Sequence, residues 1–428
     1  MRAVLLAAGR GVRLQPLTLT RPKCLLPVGG EPLVGLTLKA LKNAGVSEVL
    51  IVLSSHKEKV SEVASKVEGL KVSFSLDPNP KGTGSSLKLA EEFASGESFL
   101  LIYGDLYFSS GLIERFASEA SNMLKDGVEA VMGVVEARQP EHYGVAVVSE
   151  NGNLLKVEEK PEKSRSSLIN AGIYLFTPKV FSLLGRIKPS PRGELELTEA
   201  LNLLASEGEV KTFSLPSEGW VDIGRPWGLL EANKLRLKEV KGQIEGEVES
   251  NVVIRGEVVV EEGATIRFGS YIEGPAFIGS GSEVGPYARI RPYTSLGRNV
   301  KVGSFCEVKA SIVMDGTKIP HLCYVGDSII GENCNFGAGT LIGNLRLDEK
   351  PVKVTVKGVR VSSGLRKLGA IIGDEVRTAI NVSIMPGVKV GPRSWIGPVI
   401  AVTRDIPPDT MVLATQNLVF KPLREAEA

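Results

Sequence analysis

Two stretches of the chain concentrate residues able to do chemistry. The first, "LLAAGRGVRLQPLTLTRPKCLLPVGGEP" at residues 5 to 32, joins Gly9 and Gly11 to Arg13 and Lys23. Glycines at that spacing let backbone N–H groups approach an anion, and the two cations add charge, so the run is suited to phosphate. A dinucleotide-binding loop is the rival reading, but Leu14 follows where a third glycine is needed, and the acid Glu31 precedes the second strand rather than ending it. The second stretch, "MDGTKIPHLCYVGDSIIG" at residues 314 to 331, puts Pro320, His321 and Tyr324 where a regular repeat fails. An imidazole titrates near pH ~6.5 when unperturbed, which makes His321 a candidate for proton transfer.

The elements that must position these residues come in two rhythms. From Met1 to about Glu239, short apolar runs such as "AVLLAA" and "VLIVLSS" alternate with helical patterns such as "PLVGLTLKALKNAG". That alternation predicts a Rossmann-like α/β domain with a mixed, mostly parallel sheet, whose ligands sit at the carboxyl ends of the strands. A hairpin is expected at Asn151-Gly152. From Ile254 an apolar residue returns every six positions, through Val260, Ile266, Ile272, Ile278, Val284, Ile290, Leu296, Val302 and Val308 to Met314. Hexapeptide periodicity predicts a parallel β-helix, each turn stacking on the one below.

Between Met314 and Ile330 lie sixteen positions, a phase slip of four, so a segment is expected to bulge out of the coil there. Residues 344 to 369 keep the phase in length but lose the apolar positions, which predicts an extended loop with "VKVTVKGVRV" as an arm-like hairpin. The expected divisions are an α/β domain at 1–238, a linker at 239–250, a β-helix at 251–412 and a tail at 413–428.

Composition narrows the class. A chain of 428 residues exceeds what one core usually serves. With 43% hydrophobic and 23% charged residues and a net charge of +2, it lacks the basic stripe that a nucleic-acid backbone would require. No apolar run approaches the ~20 residues that cross a bilayer, and the first one stops at Gly9-Arg10, as a buried strand would. Cys24, Cys306, Cys323 and Cys334 have neither disulfide-scaffold density nor CxxC spacing, which fits a reducing cytoplasm.

The first half resembles the sugar-nucleotidylyltransferase superfamily. The likeness runs through the 5–32 stretch, "GTG" at Gly82, "YGD" at Tyr103, "YG" at Tyr143, "EEKP" at Glu158, "INAG" at Ile169 and "WVDIGRPWGLLEAN" at Trp220. Such enzymes let a sugar 1-phosphate attack the α-phosphate of a nucleoside triphosphate and expel pyrophosphate. The resemblance implies that Leu6, Ala7, Ala8, Gly9, Gly11, Asp77, Gly82, Thr83, Tyr103 and Gly104 bind the nucleotide. It gives Arg13 and Lys23 the triphosphate and leaving group, Asp105 and Asp222 a Mg²⁺ ion, and Gly144, Glu158 or Glu159, Lys160 and Asn170 the sugar phosphate. Members using UTP or dTTP commonly carry Gln where this chain has Asp77; a carboxylate only accepts hydrogen bonds, so the base stays open among UTP, dTTP and GTP.

The second half resembles the left-handed β-helix acyltransferases, and residues 290 to 344 are similar to the acetyltransferase domain of the bacterial bifunctional enzyme that makes UDP-N-acetylglucosamine. With its two halves in this order the chain resembles the archaeal two-domain sugar-1-phosphate nucleotidylyltransferase/acetyltransferases. That likeness implies His321 as base toward an amino sugar, Arg291 and Lys309 on its phosphate, and Tyr324, Asn335 and Asn344 orienting the sugar or polarising the acetyl carbonyl. Ala338, Lys350 and Lys353 belong to the same implied site, and Leu345 replaces a family tyrosine. Acetyl-CoA would lie between neighbouring prisms of a homotrimer. Two alternatives remain: a monofunctional nucleotidylyltransferase of GDP-mannose or ADP-glucose type with a structural β-helix, and a non-enzymatic assembly subunit like the related translation-initiation exchange factors. The latter predicts erosion of Arg13, Lys23, Asp105 and Asp222, and all four are intact.

Overall fold

Apolar runs too continuous for a half-exposed strand form the centre of the first domain. In a computed structural model, which describes residues 1–190 and 193–421, nine strands make one mixed sheet. They are β1 (Arg2–Ala7), β2 (Glu48–Leu53), β3 (Lys71–Leu76), β4 (Phe99–Tyr103), β5 (Ala130–Glu136), β6 (Gly144–Val148), β7 (Leu154–Glu159), β8 (Leu168–Phe176) and β9 (Val210–Leu215). Their order is β7-β6-β8-β4-β1-β2-β3, with β5 also paired to β8 and β9 to β5. β1 runs parallel to both β2 and β4, whereas β8 runs antiparallel to β4 and β5. Helices Leu33–Asn43 and Leu112–Leu124 cover one face of the sheet, and Lys179–Leu184 and Leu197–Ser206 cover the other. Both faces of β1 are therefore buried, which is why "AVLLA" has no polar alternation.

The six-residue rhythm folds into a left-handed β-helix of three parallel faces. One face stacks Ile244, Val260, Ile278, Leu296, Val313, Ile330, Ile372 and Val390. A second stacks Val248, Ile266, Val284, Val302 and Ile319, and the third runs from Ile254 through Val308 and Val325 to Val402. The first coil starts earlier than the periodicity suggests. Helix Pro226–Glu239 is followed at once by strands Gln243–Ile244 and Glu247–Val248, so the stretch read as a linker already pairs with Val258–Val260 and Thr265–Ile266.

The expected bulge is absent. Inward residues run Val308, Val313, Ile319, Val325, Ile330, Phe336, with five-residue steps before Val313 and Ile330 and six-residue steps elsewhere. Two single-residue shortenings thus account for the slip, and Lys318–His321 and Tyr324–Gly326 are ordinary strands paired to Lys301–Ser304 and Glu307–Lys309. Met314 is not part of the inward stack. It joins Ile312, Ile329 and Ile371 in a separate core shared with Leu14, Leu17, Leu26, Val28, Val221, Ile223 and Leu229 of the first domain.

The hairpin forms as read, Lys353–Val356 against Val359–Ser362, but not as a free arm, because Val352, Val354 and Leu368 bury into that shared core. Of the tail, residues 422–428 lie outside the described part, and Leu418, Val419 and Phe420 are exposed. Among the described residues no helix is long and apolar enough to cross a membrane. If Ile319 belongs to the prism core, Ile319→Ala should destabilise the chain by about 2–5 kcal/mol, read as a lower denaturation midpoint, while a residue in a solvent bulge would leave it unmoved.

Candidate active sites

Strand β1 delivers Leu6, Ala7 and Ala8 to the rim of the sheet, and β4 beside it delivers Tyr103, Gly104 and Asp105. These six residues, with Gly9, Lys23, Gly82 and Thr83, line a cavity of about 390 Å³ at the strand ends. The chain after Gly9 folds back on itself. Gly11 has φ 62°, its carbonyl accepts from the Thr18 hydroxyl at 2.8 Å, and a Cβ there would lie 2.8 Å from the Thr18 methyl. Only glycine fits that turn without strain. Gly11, Arg13 and Asp77 do not line the cavity themselves. Arg13 lies on the side of Asp222 and Tyr143, where its charge favours both anionic forms, and Asp77 accepts from the Ser86 hydroxyl at 2.8 Å.

Asp105 and Asp222 meet through backbone pairing. Strand Trp220–Asp222 runs antiparallel to Leu106–Phe108, and Ile223 N–H donates to the Asp105 carbonyl at 2.9 Å. Burial pushes the Asp222 carboxyl above its ordinary range, the Asp105 charge adds to this, and Lys23, Arg13 and Arg225 oppose it. Lys23 forms an ion pair with Asp105. Two hard carboxylates destabilising one another beside a phosphate-sized cavity fit a divalent cation that takes its other ligands from phosphate and water. Among the described residues no larger cluster of His, Cys, Asp and Glu could hold a metal.

The adjacent glutamates of β7 part company. Glu159 pairs across from Gly144, and a Cβ on Gly144 would be 3.1 Å from the Glu159 carboxylate and 3.7 Å from Asn170. Glu158, one residue earlier on a pleated strand, points to the other face and lies 3.8 Å from Lys156. The register of β8 slips between Asn170 and Tyr174, and at Gly172, φ 68°, a Cβ would strike Leu106 and Tyr103. The irregularity aims Asn170 at Tyr174, whose hydroxyl donates to Tyr103 at 3.0 Å. Burial raises the pKa of both tyrosines, so they remain neutral donors. Lys160 follows with φ 47°, its ammonium 3.8 Å from Glu159.

The prism carries a second cluster on adjacent coils of one face. Arg291 pairs with Glu307 at 2.8 Å and Lys309 with Asp327 at 3.1 Å. Asn344 donates to the Tyr324 hydroxyl at 3.2 Å and also to Asp327. Burial, then the charges of Asp327 and Glu307, push the Tyr324 phenol up. His321 lies around the corner, exposed, at the end of strand Lys318–His321, with its carbonyl accepting from Gly339 N–H at 3.2 Å beside Ala338. Asn335 bridges Lys318 and Arg377 on that neighbouring face. Lys350 and Lys353 are exposed on the hairpin segment, and among the described residues neither forms an ion pair. Cys323, next to His321, is buried, and all four cysteines are free.

A nucleotidyl transferase family model matches residues 2–239, and a model described as the GMPPB C-terminal domain matches residues 272–385. The bifunctional protein GlmU of Methanocaldococcus jannaschii is 46% identical over 424 residues, 99% of this chain and 100% of that protein. A bifunctional sugar-1-phosphate nucleotidylyltransferase/acetyltransferase of Sulfurisphaera tokodaii is 47% identical over 408 residues, 95% of this chain and 98% of that one. The chain belongs to this bifunctional nucleotidylyltransferase/acetyltransferase family. A solved structure from Bacillus anthracis, described as a glucose-1-phosphate thymidylyltransferase, shares 30% identity and a TM-score of 0.50 over 57% of this chain and 98% of its own.

For a member of this family, sequence reasoning passed over five polar residues that the fold brings in. Arg10, Ser86 and Glu194 line the first cavity. Glu307 and Asp327 hold Arg291, Lys309 and Asn344 in place. Their signal was weak because each partner lies about one coil away in sequence. The β7 geometry separates the two glutamates: Glu159→Gln should raise the KM for sugar 1-phosphate about tenfold or more, and Glu158→Gln should change it less than about twofold, in steady-state pyrophosphate release.

Proposed function

We propose that this chain performs two group transfers in nucleotide-sugar synthesis. It moves a nucleotidyl group from UTP or dTTP onto N-acetylglucosamine 1-phosphate or glucose 1-phosphate, and it acetylates glucosamine 1-phosphate or galactosamine 1-phosphate from acetyl-CoA. The observation that carries this reading is the coexistence of two built clusters in one chain: Lys23, Asp105 and Asp222 at the strand ends, and Arg291, Lys309, Tyr324 and Asn344 on the prism beside His321.

In the first reaction an oxygen of the sugar phosphate forms a bond to the α-phosphorus while the bond to the bridging oxygen breaks, and pyrophosphate leaves with that electron pair. The nucleophile is already an anion, so alignment and charge neutralisation are the whole task. Lys23 and Arg13 stabilise charge on the triphosphate, Glu159, Gly144 and Asn170 orient the sugar, and Lys160 holds its phosphate. Asp105 and Asp222 would hold Mg²⁺, which supplies further charge neutralisation when bound.

In the second, the amine attacks the thioester carbonyl, His321 takes the ammonium proton, and the thiol of coenzyme A departs protonated. Arg291 and Lys309 already face carboxylates, so the substrate phosphate joins a network that is held in position beforehand.

A homotrimer is supported by a ridge along one corner of the prism. Phe268, Tyr287, Phe305 and Leu322 are all exposed there, and the Tyr287 and Phe305 rings stack at 5.7 Å. The ridge reaches Leu322, next to His321, so a neighbouring prism docked on it would close the acetyl-transfer site. Phe305→Glu should shift the molar mass measured by light scattering toward monomer and lower acetyl transfer. Four free, buried cysteines support a cytoplasmic setting.

The match of residues 272–385 to the GMPPB C-terminal domain favours a second reading, in which the β-helix only assembles the enzyme. Asp105→Asn should reduce pyrophosphate release at least ~100-fold and spare acetyl-CoA-dependent thiol release, and His321→Ala should do the reverse. Thiol release absent from the native chain with every amino-sugar 1-phosphate tried would establish the second reading instead.

A further inference from the structure

The run that lines the first cavity is also the wall of the first domain that meets the prism. Leu14, Leu17, Leu26 and Val28 bury against Ile312, Met314, Ile329 and Ile371. Within this apolar seam sits Arg21, only 6% exposed and two residues before Lys23. One of its terminal nitrogens pairs with Glu332 and the other with Asp374, both from the prism, and the first also approaches the Met314 sulfur at 3.4 Å. Asp374 is itself fixed, since its second oxygen accepts from Glu332 N–H at 2.8 Å. Burial disfavours the Arg21 charge, and Asp374 and then Glu332 more than offset it, so the guanidinium stays ionised.

Little slack separates this anchor from the chemistry. Pro22 follows at φ −69°, and the next residues form a tight turn, with Leu25 N–H donating to the Pro22 carbonyl and Leu26 N–H to that of Lys23, both at 3.1 Å. Lys23 then reaches Asp105. The far end of the run is tied as well. Gly29 N–H donates to the Asn233 side-chain oxygen at 2.9 Å, and Asn233, 1% exposed, accepts from the Ser295 hydroxyl at 2.8 Å and donates to the Tyr293 carbonyl at 3.1 Å. An apolar seam would hold two domains together without a buried triad, and such triads are often no more stabilising than hydrophobic replacements. What the forked, planar guanidinium adds is one defined geometry between two carboxylates.

We propose that Arg21 is a positioning residue for nucleotidyl transfer, and that the β-helix, through Glu332 and Asp374, holds the phosphate-binding run in the shape that places Lys23. The inference rests on the nucleotidyl-transfer reading above. It makes the first reaction depend on residues more than three hundred positions away that touch neither substrate. Small misplacements of a group that acts on the transition state are costly, up to about a hundredfold for ~1 Å.

The test uses the full chain with Asp374→Asn, Arg21→Met, Arg21→Lys and the Arg21→Met/Asp374→Asn double variant. Pyrophosphate release gives kcat and the KM of each substrate, and thiol release from acetyl-CoA reports the integrity of the prism. The expected result is a fall in nucleotidyl kcat of about tenfold for Asp374→Asn and Arg21→Met, with the KM for sugar 1-phosphate within about twofold and acetyl transfer unchanged. The double variant should be no slower than Arg21→Met, and Arg21→Lys should recover part of the rate. Native kcat in Asp374→Asn overturns the inference, as does a parallel fall of both activities, which marks general destabilisation. Absence of pyrophosphate release in the native chain instead removes the nucleotidyl-transfer reading, and this inference with it.

Discussion

Inside the prism, Val302 stacks on Ile319 and Val308 on Val325, and that contact sets neighbouring coils at the spacing of hydrogen-bonded parallel strands, about 4.8 Å. Everything placed on the outside inherits the spacing. Arg291 and Lys309 follow inward Ile290 and Val308 on successive coils, and Tyr324 pairs across from Glu307. A core that does no chemistry thereby fixes cations, a phenol and an amide relative to one another without help from flexible loops. The same regularity carries the corner ridge from Tyr287 through Phe305 to Leu322, because each coil turns at an equivalent residue of positive φ.

One face of the prism works on both sides. In Ile312–Val313, Ile329–Ile330 and Ile371–Ile372 the second residue enters the prism and the first buries against the other domain. Two-residue alternation allows no third option, so this face must be covered. Its cover includes the run between Gly11 and Val28, with the hairpin segment filling in through Val352 and Val354. The run that lines the first cavity is thus shaped from two directions, by β1 and β4 at its root and by the prism at its back.

Much of this was legible beforehand. The glycine and cation spacing of the first run marked the end of the sheet where the first cavity lies, and the recurrence of one apolar residue in six marked the β-helix. Where the reading failed or stayed open, the sequence offered equivalent candidates. Val313 and Met314 are both apolar neighbours, and counting by six selected Met314; pairing with Leu296 and Ile330 selects Val313. Glu158 and Glu159 are chemically identical, and only the pleat of β7 separates them. Residues 239–250 looked like a linker because their apolar content is low, but backbone pairing needs no apolar side chain.

The sequence by itself determined the two architectures and the residue types of both candidate sites, because periodicity and local turn chemistry act over a few residues and are written in order along the chain. Tertiary structure decided which copy of a repeated residue faces inward, which glutamate faces Gly144, and that Arg21 meets Glu332 and Asp374 across the seam. Those outcomes depend on which surfaces are left over once each domain has buried its own core. Contacts between residues hundreds of positions apart leave no local period to read.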